Sequence, residues 1–345
     1  MSGRLRAWHV RDLVIALIGV FGVFLVLRGT VLPTSGEAPR TVTIRRGSGV
    51  SDIAHTLTRS GIIHSPLVFV LAARGLHVDR SLRAGQYQLS PSMNVLDLLH
   101  QLQKGSDFHV TLPEGLTAAE MADTLHMAIG LNKAEFLAAV RDSALRDELG
   151  ITAPTLEGYL FPDSYEILPD MTAREIVAQM VRQFARLYAD EFGDARPPQG
   201  LTRQQAVTLA SIVEAEAHAP EERPHIAAVY LNRLRTGMRL QADPTVAYAL
   251  GGRRERIYYK DLEVDSPYNT YRHEGLPPGP IANPGLASVR AVFHPLTPSS
   301  DLFFVATGDG HHVFTQTLAE HDAAIQRLRG ANVAGSPNLA TSGRP

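Results

Sequence analysis

The chain has no cysteine among its 345 residues, which excludes disulfides, thiolate metal sites and cysteine nucleophiles. It also lacks an excess of either charge: 33 Lys+Arg stand against 35 Asp+Glu, a formal net charge of -2. No basic tract is present, so the counterion-release term that drives nucleic-acid binding is missing and no nucleic-acid partner is expected. There is no H-E-x-x-H, no G-x-S-x-G and no phosphate-cradling glycine loop. His311 and His312 are adjacent on an expected strand and point to opposite faces, which makes them poor joint metal ligands. A metal, a nucleotide cofactor and a serine nucleophile are therefore not expected.

What is present supports a folded, exported protein. At 44% hydrophobic and 20% charged, the chain can build two domains with real cores. Leu13–Leu27 carries no charge, and Arg28 precedes a further apolar stretch to Leu32. Fifteen uncharged residues fall short of the ~20 that span a bilayer, so an anchor over 13–32 needs Arg28 to snorkel. Arg4, Arg6 and Arg11 precede the segment. By the positive-inside rule this leaves residues 1–12 in the cytoplasm and the rest outside the inner membrane. A cleaved signal peptide is the competing reading, against which stands the lack of a clean A-x-A site. A short linker, 33–39, follows.

Residues 42–57, "VTIRRGSGVSDIAHTL", lie on 110–125, "VTLPEGLTAAEMADTL", without a gap. Each copy predicts a strand, a glycine turn and an amphipathic helix. Downstream, Tyr87, Leu89, Pro91, Met93 and Asp97 pair with Tyr165, Ile167, Pro169, Met171 and Glu175. The duplication predicts two small α+β modules, 40–105 and 106–185. In the first, strands Thr41–Ile44 and Gln86–Leu89 enclose helices near Ser51–Arg59 and Pro66–Ala73. This βααβ order resembles a LysM fold, which binds N-acetylglucosamine chains, although a non-binding spacer has the same pattern. The second copy alone carries "TLEGYLFPDSY", Thr155–Tyr165. Tyr159, Phe161 and Tyr165 cluster there with Glu157 and Asp163. Such aromatics and carboxylates suit a sugar site, or form a satellite core under a loop.

Two glutamates stand out in "ASIVEAEA", residues 210–217, because the surrounding helix from Thr202 is apolar nearly all round. A carboxylate in that setting needs a partner, a proton or a function. At ~100° per residue, Glu214 and Glu216 diverge by roughly 160° and do not face one site. Glu214 lies over the small Ala210 and Ser211, which leaves room for a ligand. An ion pair with Arg233, Arg235 or Arg239 is the structural alternative. Glu216 reads as structural, paired with an arginine. A second helix, "EERPHIAAVYLNRLRTG", follows and stops at Gly237. "RLQADPTVAYALG" and "YNTYRHEGLPPGPIANPGLASVRAVFHP" read as ordered loops, in which Gln241, Asp243, Asn269 and Tyr271 offer hydrogen-bonding groups to a polyhydroxylated substrate. "LFFVATGDGHHVFT" predicts a hairpin turning at Asp309-Gly310, and "GSPNLATSGRP" a flexible tail.

The motifs "LEGYLFPDSYEI", "ASIVEAEA", "VYLNRLRTGMRLQADPTVAYALG", "YNTYRHEGLPPGPIANPG" and "FVATGDGHHVFTQTLAEH", in this order, resemble the membrane-anchored endolytic murein transglycosylases, the MltG/YceG-like family of bacteria. The resemblance extends from the anchor to about residue 328. It implies an α+β protein with a single N-terminal transmembrane helix, tandem LysM-like modules, a YceG-type catalytic domain over 186–328 and a tail over 329–345. It also implies that Glu214 is the catalytic acid/base, and that Glu157, Tyr159, Asn232, Gln241, Asp243, Asn269 and Tyr271 belong to the substrate site. The implied partners are peptidoglycan glycan strands, the inner membrane and peptidoglycan synthases. A general acid of this kind is expected in an apolar pocket that keeps it protonated. A hydrolase needs a second carboxylate, about 5–5.5 Å away if retaining and 6.5–9.5 Å if inverting, for which Glu157, Asp163 and Asp243 are candidates. A lytic transglycosylase uses the sugar's own C6 hydroxyl and needs only one carboxylate. A muramidase hydrolase and a non-catalytic glycan-binding scaffold are the other readings.

Overall fold

A computed structural model of the chain describes residues 38–106, 109–168, 170–254 and 256–334. The expected anchor at 13–32 lies outside these residues, as does the tail beyond Ala334. No helix among the described residues is long and apolar enough to cross a membrane. The fold is α+β, with three two-stranded sheets and many helices among the described residues. Contacts divide the chain into two compact units: residues 1–110 with 164–172, and residues 111–163 with 173–345. The expected module 106–185 is thus split between them.

The first unit is built as βααβ. Strand β1 (Arg40–Ile44) pairs antiparallel with β2 (Gly85–Leu89), and helices α1 (Val50–Arg59) and α2 (Pro66–Gly75) lie between them in sequence. Strand alternation puts Val42, Ile44, Tyr87 and Leu89 on one buried face. Ile53, Ala54, Leu57 and Phe69 pack onto it, joined by Leu98, Leu99 and Leu102 of α3 (Val95–Lys104). Strand β3 (His109–Thr111) pairs with β4 (Ser164–Glu166).

The duplication extends to turn geometry. Gly47 and Gly115 occupy equivalent positions with φ of 74° and 75°, a conformation in which a Cβ is strained. Two residues on, an acidic side chain closes each helix start: Asp52 accepts from the Gly49 N–H at 3.0 Å for α1, and Thr117 and Glu120 form a full capping box for α4 (Ala118–Ile129). Helices α5 (Lys133–Arg141) and α6 (Ser143–Glu148) follow before β4.

The centre of the second unit is α8 (Arg203–Glu216), preceded in the chain by α7 (Ala173–Phe192). Thr202 and Gln205 form a capping box that starts α8, and every residue from Ala206 to Val213 is buried. Helices α9 (Arg223–Arg235), α10 (Asp243–Ala249) and α11 (Leu286–Phe293) pack around it. The "ADPTVAYA" stretch is helical rather than a loop: Pro244 sits in the first turn, where its missing N–H costs nothing. Strands β5 (Phe303–Ala306) and β6 (His312–Thr315) form the expected hairpin, with Phe304 opposite Phe314. Helix α12 (Leu318–Ala334) continues past the expected domain end at 328, through Gly330.

Candidate active site

The last turn of α8 carries Glu214 and Glu216 and no basic residue, against the helix dipole, which disfavours negative charge at a C-terminus. Their surroundings differ. The Glu214 side chain is only 7% exposed, and its carboxylate receives three hydrogen bonds. The Gly285 N–H and the Ser288 hydroxyl donate to Oε2 at 3.0 and 2.8 Å, and Arg223 Nη2 donates to Oε1 at 3.2 Å. Gly285 is the N-cap of α11 and Ser288 lies in its first turn, so one carboxylate oxygen lies at a helix N-terminus that has free N–H groups to offer. Arg223, in the first turn of α9, also donates from Nε to Ser288 Oγ at 3.0 Å.

These neighbours replace the apolar pocket expected around Glu214, and Arg223 replaces Arg233, Arg235 or Arg239 as its ionic partner. Arg233 is instead spent on main-chain carbonyls, donating to Leu302 and Leu240 at 2.6 Å each. A second carboxyl, Glu114, stands beside Glu214. A Cβ built on Gly285 would come within 1.9 Å of Glu114 Oε1, so only glycine at 285 leaves that oxygen its place. Lost hydration, then the charge on Glu214, push the Glu114 carboxyl above its usual range, and Arg223 opposes them.

Glu214 lines an open cleft of about 790 Å³ together with Gly115, Glu216, His218, Asp243 and Arg253. Glu216 also lines this cleft, while its carboxyl shares no hydrogen-bond partner with that of Glu214. Glu216 is the last residue of α8, and the cleft wraps the end of the helix to include Ala217 and His218. Its Oε1 accepts a 2.8 Å hydrogen bond from Tyr230 Oη, where an arginine was expected. Loss of hydration pushes the Glu216 carboxyl up to about 7, with Tyr230 and the Arg233 charge pulling the other way.

The other expected site residues divide into two groups. Asp243 lines the large cleft. With Gln241 and Tyr271 it also lines a smaller one of about 310 Å³, and Tyr271 Oη donates to Asp243 Oδ1 at 2.6 Å. Glu157, Tyr159, Asn232 and Asn269 are buried and spent within the protein. Asn232 donates to the carbonyls of Ser299 and Asp301, and Asn269 to those of Leu262 and Val264. Tyr159 meets Phe184 edge-on at 5.3 Å, in an aromatic core that includes Phe161 and Tyr188. The aromatics of "LEGYLFPDSY" are thus core.

Glu157 is the anchor of that segment. Its carboxyl accepts from the Ala118 N–H at 2.9 Å and from Asn283 Nδ2 at 2.7 Å. Burial pushes it up to about 7, opposed by these two donors. Asn283 also accepts from the N–H groups of Gly158 and Leu160, and donates to Leu116 O. Gly158 packs on Pro280 so closely that a Cβ would stand 2.3 Å from its ring. The segment therefore holds the 115–118 turn, whose Gly115 lies against Glu214: its Cβ position is 3.3 Å from Glu214 Cγ.

Sequence reasoning missed Arg223, Gly285, Ser288 and Glu114. Gly285 had a legible signal, a Pro-Gly pair just ahead of an apolar helix. His311 and His312, read as diverging, both reach Glu222, at 3.4 and 2.7 Å, because the strand begins only at His312.

The sequence model of the YceG-like family matches residues 42–327, and the chain belongs to this family. A Bacillus subtilis protein named endolytic murein transglycosylase is 33% identical over 326 residues, covering 89% of this chain and 90% of that protein. A Streptococcus pneumoniae protein of the same name is 31% identical over 362 residues; the match takes in 92% of this chain but only 65% of the streptococcal protein's length. The crystal structure of a YceG-like protein from Listeria monocytogenes is similar at a TM-score of 0.57 and 36% identity, covering 84% of this chain and all of that one.

Proposed function

We propose that the chain is a lytic transglycosylase that cleaves peptidoglycan glycan strands internally, with Glu214 as its acid/base. The observation that carries this reading is the Glu214 carboxyl itself: it is held by three donors on the wall of a cleft of about 790 Å³. In the reaction, protonated Glu214 delivers its proton to the oxygen bridging N-acetylmuramic acid C1 and N-acetylglucosamine C4. The C1–O bond breaks and the N-acetylglucosamine leaves with a free 4-hydroxyl. The C6 hydroxyl of the muramic acid attacks C1, and the Glu214 carboxylate takes its proton, so a 1,6-anhydro ring closes and the acid is restored. Because the nucleophile belongs to the substrate, the step gains ~7–11 kcal/mol from intramolecularity and needs no second carboxylate. Arg223, Gly285 and Ser288 fix the carboxyl in place for both transfers.

The resemblance extends the reading further. The segment at 13–32 serves as an inner-membrane anchor with the N-terminus in the cytoplasm and the catalytic part in the periplasm. The βααβ units act as LysM-like modules, and the enzyme works beside peptidoglycan synthases to limit strand length. The test is mass spectrometry of peptidoglycan digested by the chain and by Glu214→Gln. Ends in 1,6-anhydro-N-acetylmuramic acid that vanish in the variant are expected. Reducing ends would sink the lyase mechanism in favour of a muramidase, with Asp243 the second carboxylate, since it shares the Glu214 cleft. No cleavage by the unsubstituted chain would leave a glycan-binding scaffold.

A further inference from the structure

The 310 Å³ cleft is separate from the one holding Glu214, yet the two share a wall: Glu216 and Asp243 line both. A chain molecule lying past Glu214 toward Asp243 is therefore led to the mouth of the second cleft. Its volume sits at the low end of ligand pockets, the size of one ring rather than of an oligosaccharide.

The lining of this cleft is chemically selective. Aromatic surface comes from Tyr271 and from Phe303, whose ring carries Arg233 over one face at 5.2 Å. Gln241 is exposed, with its backbone held at a φ of 50° in the left-handed region. That strain persists only where the surroundings enforce it, here by the Gln241 N–H bond to Thr270 O at 3.2 Å. His321 lines the cleft stacked 5.4 Å from Phe303, and its Nδ1 is buried with no hydrogen-bond partner. Burial holds that imidazole below its usual range. The Tyr271 ring, the Gln241 amide and the tyrosine–aspartate pair suit a ligand with an apolar ring face and both donor and acceptor groups.

We propose that this second cleft is a glycan subsite that holds one N-acetylhexosamine unit of the strand, on the far side of the Glu216–Asp243 wall from Glu214. The inference rests on the peptidoglycan-cleaving reading above and deepens it. A subsite remote from the scissile bond rewards strands long enough to fill it, so binding energy from that unit favours internal cleavage over trimming of short ends.

Leu318 gives a clean handle: it lines the cleft, lies in the first turn of α12 and is 59% exposed. Leu318→Trp fills the subsite from the surface without disturbing a core. The full chain and Leu318→Trp are compared on uncrosslinked glycan strands of increasing length, reading kcat/KM on long strands relative to the shortest strand cleaved. The expected result is a fall of about tenfold in that ratio for Leu318→Trp, with matching melting temperatures. The Glu214→Gln chain, titrated with long strands by calorimetry, should lose about tenfold in affinity on adding Leu318→Trp. An unchanged ratio and affinity would overturn the subsite while leaving the proposed function intact. Failure of the unsubstituted chain to cleave any strand would overturn both.

Discussion

Glu157 and Asn283 stand 126 residues apart in the chain and are joined by a buried 2.7 Å hydrogen bond. Through it the "LEGYLFP" and "PIANPG" segments hold each other, and both hold the turn that touches Glu214. Asn283→Ala leaves the N–H groups of Gly158 and Leu160 without their partner and the Glu157 carboxyl without one of its donors. Each buried orphan costs ~1–3 kcal/mol, so a destabilisation of ~3–5 kcal/mol is expected. Urea unfolding measures it; a loss under ~1 kcal/mol would mean that the network carries no load.

Gly285→Ala separates the position of the Glu214 carboxyl from fold stability. The Gly285 φ of -72° suits any residue, so no backbone strain is introduced. The three atoms nearest the added methyl all belong to the carboxyl of Glu114, which ends the long side chain of an exposed residue. Little change in melting temperature and a clear fall in kcat are expected. Adding Glu114→Ala should restore most of the activity. A double variant no better than the single one would show that the collision is not what matters.

Ser288→Ala removes one donor to Glu214 and the acceptor that orients Arg223. A kcat reduction of about tenfold to a hundredfold is expected, in keeping with the loss of one or two positioning hydrogen bonds. Ser288→Thr keeps the hydroxyl and should retain more activity. Equal loss in both would point to packing rather than to the hydrogen bond.

Stability should fall as pH rises through the weakly acidic range. Glu157 and Glu216 have folded pKa values raised from 4.5 to about 7 by burial. Between those values the unfolded chain has lost the two protons while the folded one keeps them, so stability decreases with pH, then levels off above about 7. The lowered carboxyls of Glu191, Glu222 and Glu320 act at lower pH, where their contribution is lost on acidification. A melting series from pH 4.5 to 8 checks the slope, and Glu216→Gln should flatten it. A melting temperature that climbs steadily across this window would contradict the assignment.

The first unit was legible because its signals are local. Alternation in Thr41–Ile44 and Gln86–Leu89, the glycine turn and helical spacing each depend on neighbours within a few residues, and the repeat presents the same pattern twice. Glu214 could be singled out for the same reason, as a carboxyl on an otherwise buried helix. The expected sugar-binding role of Tyr159 failed because composition cannot tell a ring stacked on a ligand from one packed on Phe184.

By itself, then, the sequence determined the elements of the first unit, the duplication, the family and a candidate glutamate for the chemistry. Their signals lie in contiguous residues, where propensity, periodicity and motif order act. Tertiary structure alone decided what surrounds that glutamate. Arg223, Gly285 and Ser288 reach it from 9, 71 and 74 residues away, on the starts of two other helices. Such convergence depends on how α8, α9 and α11 pack, and no local pattern encodes that packing.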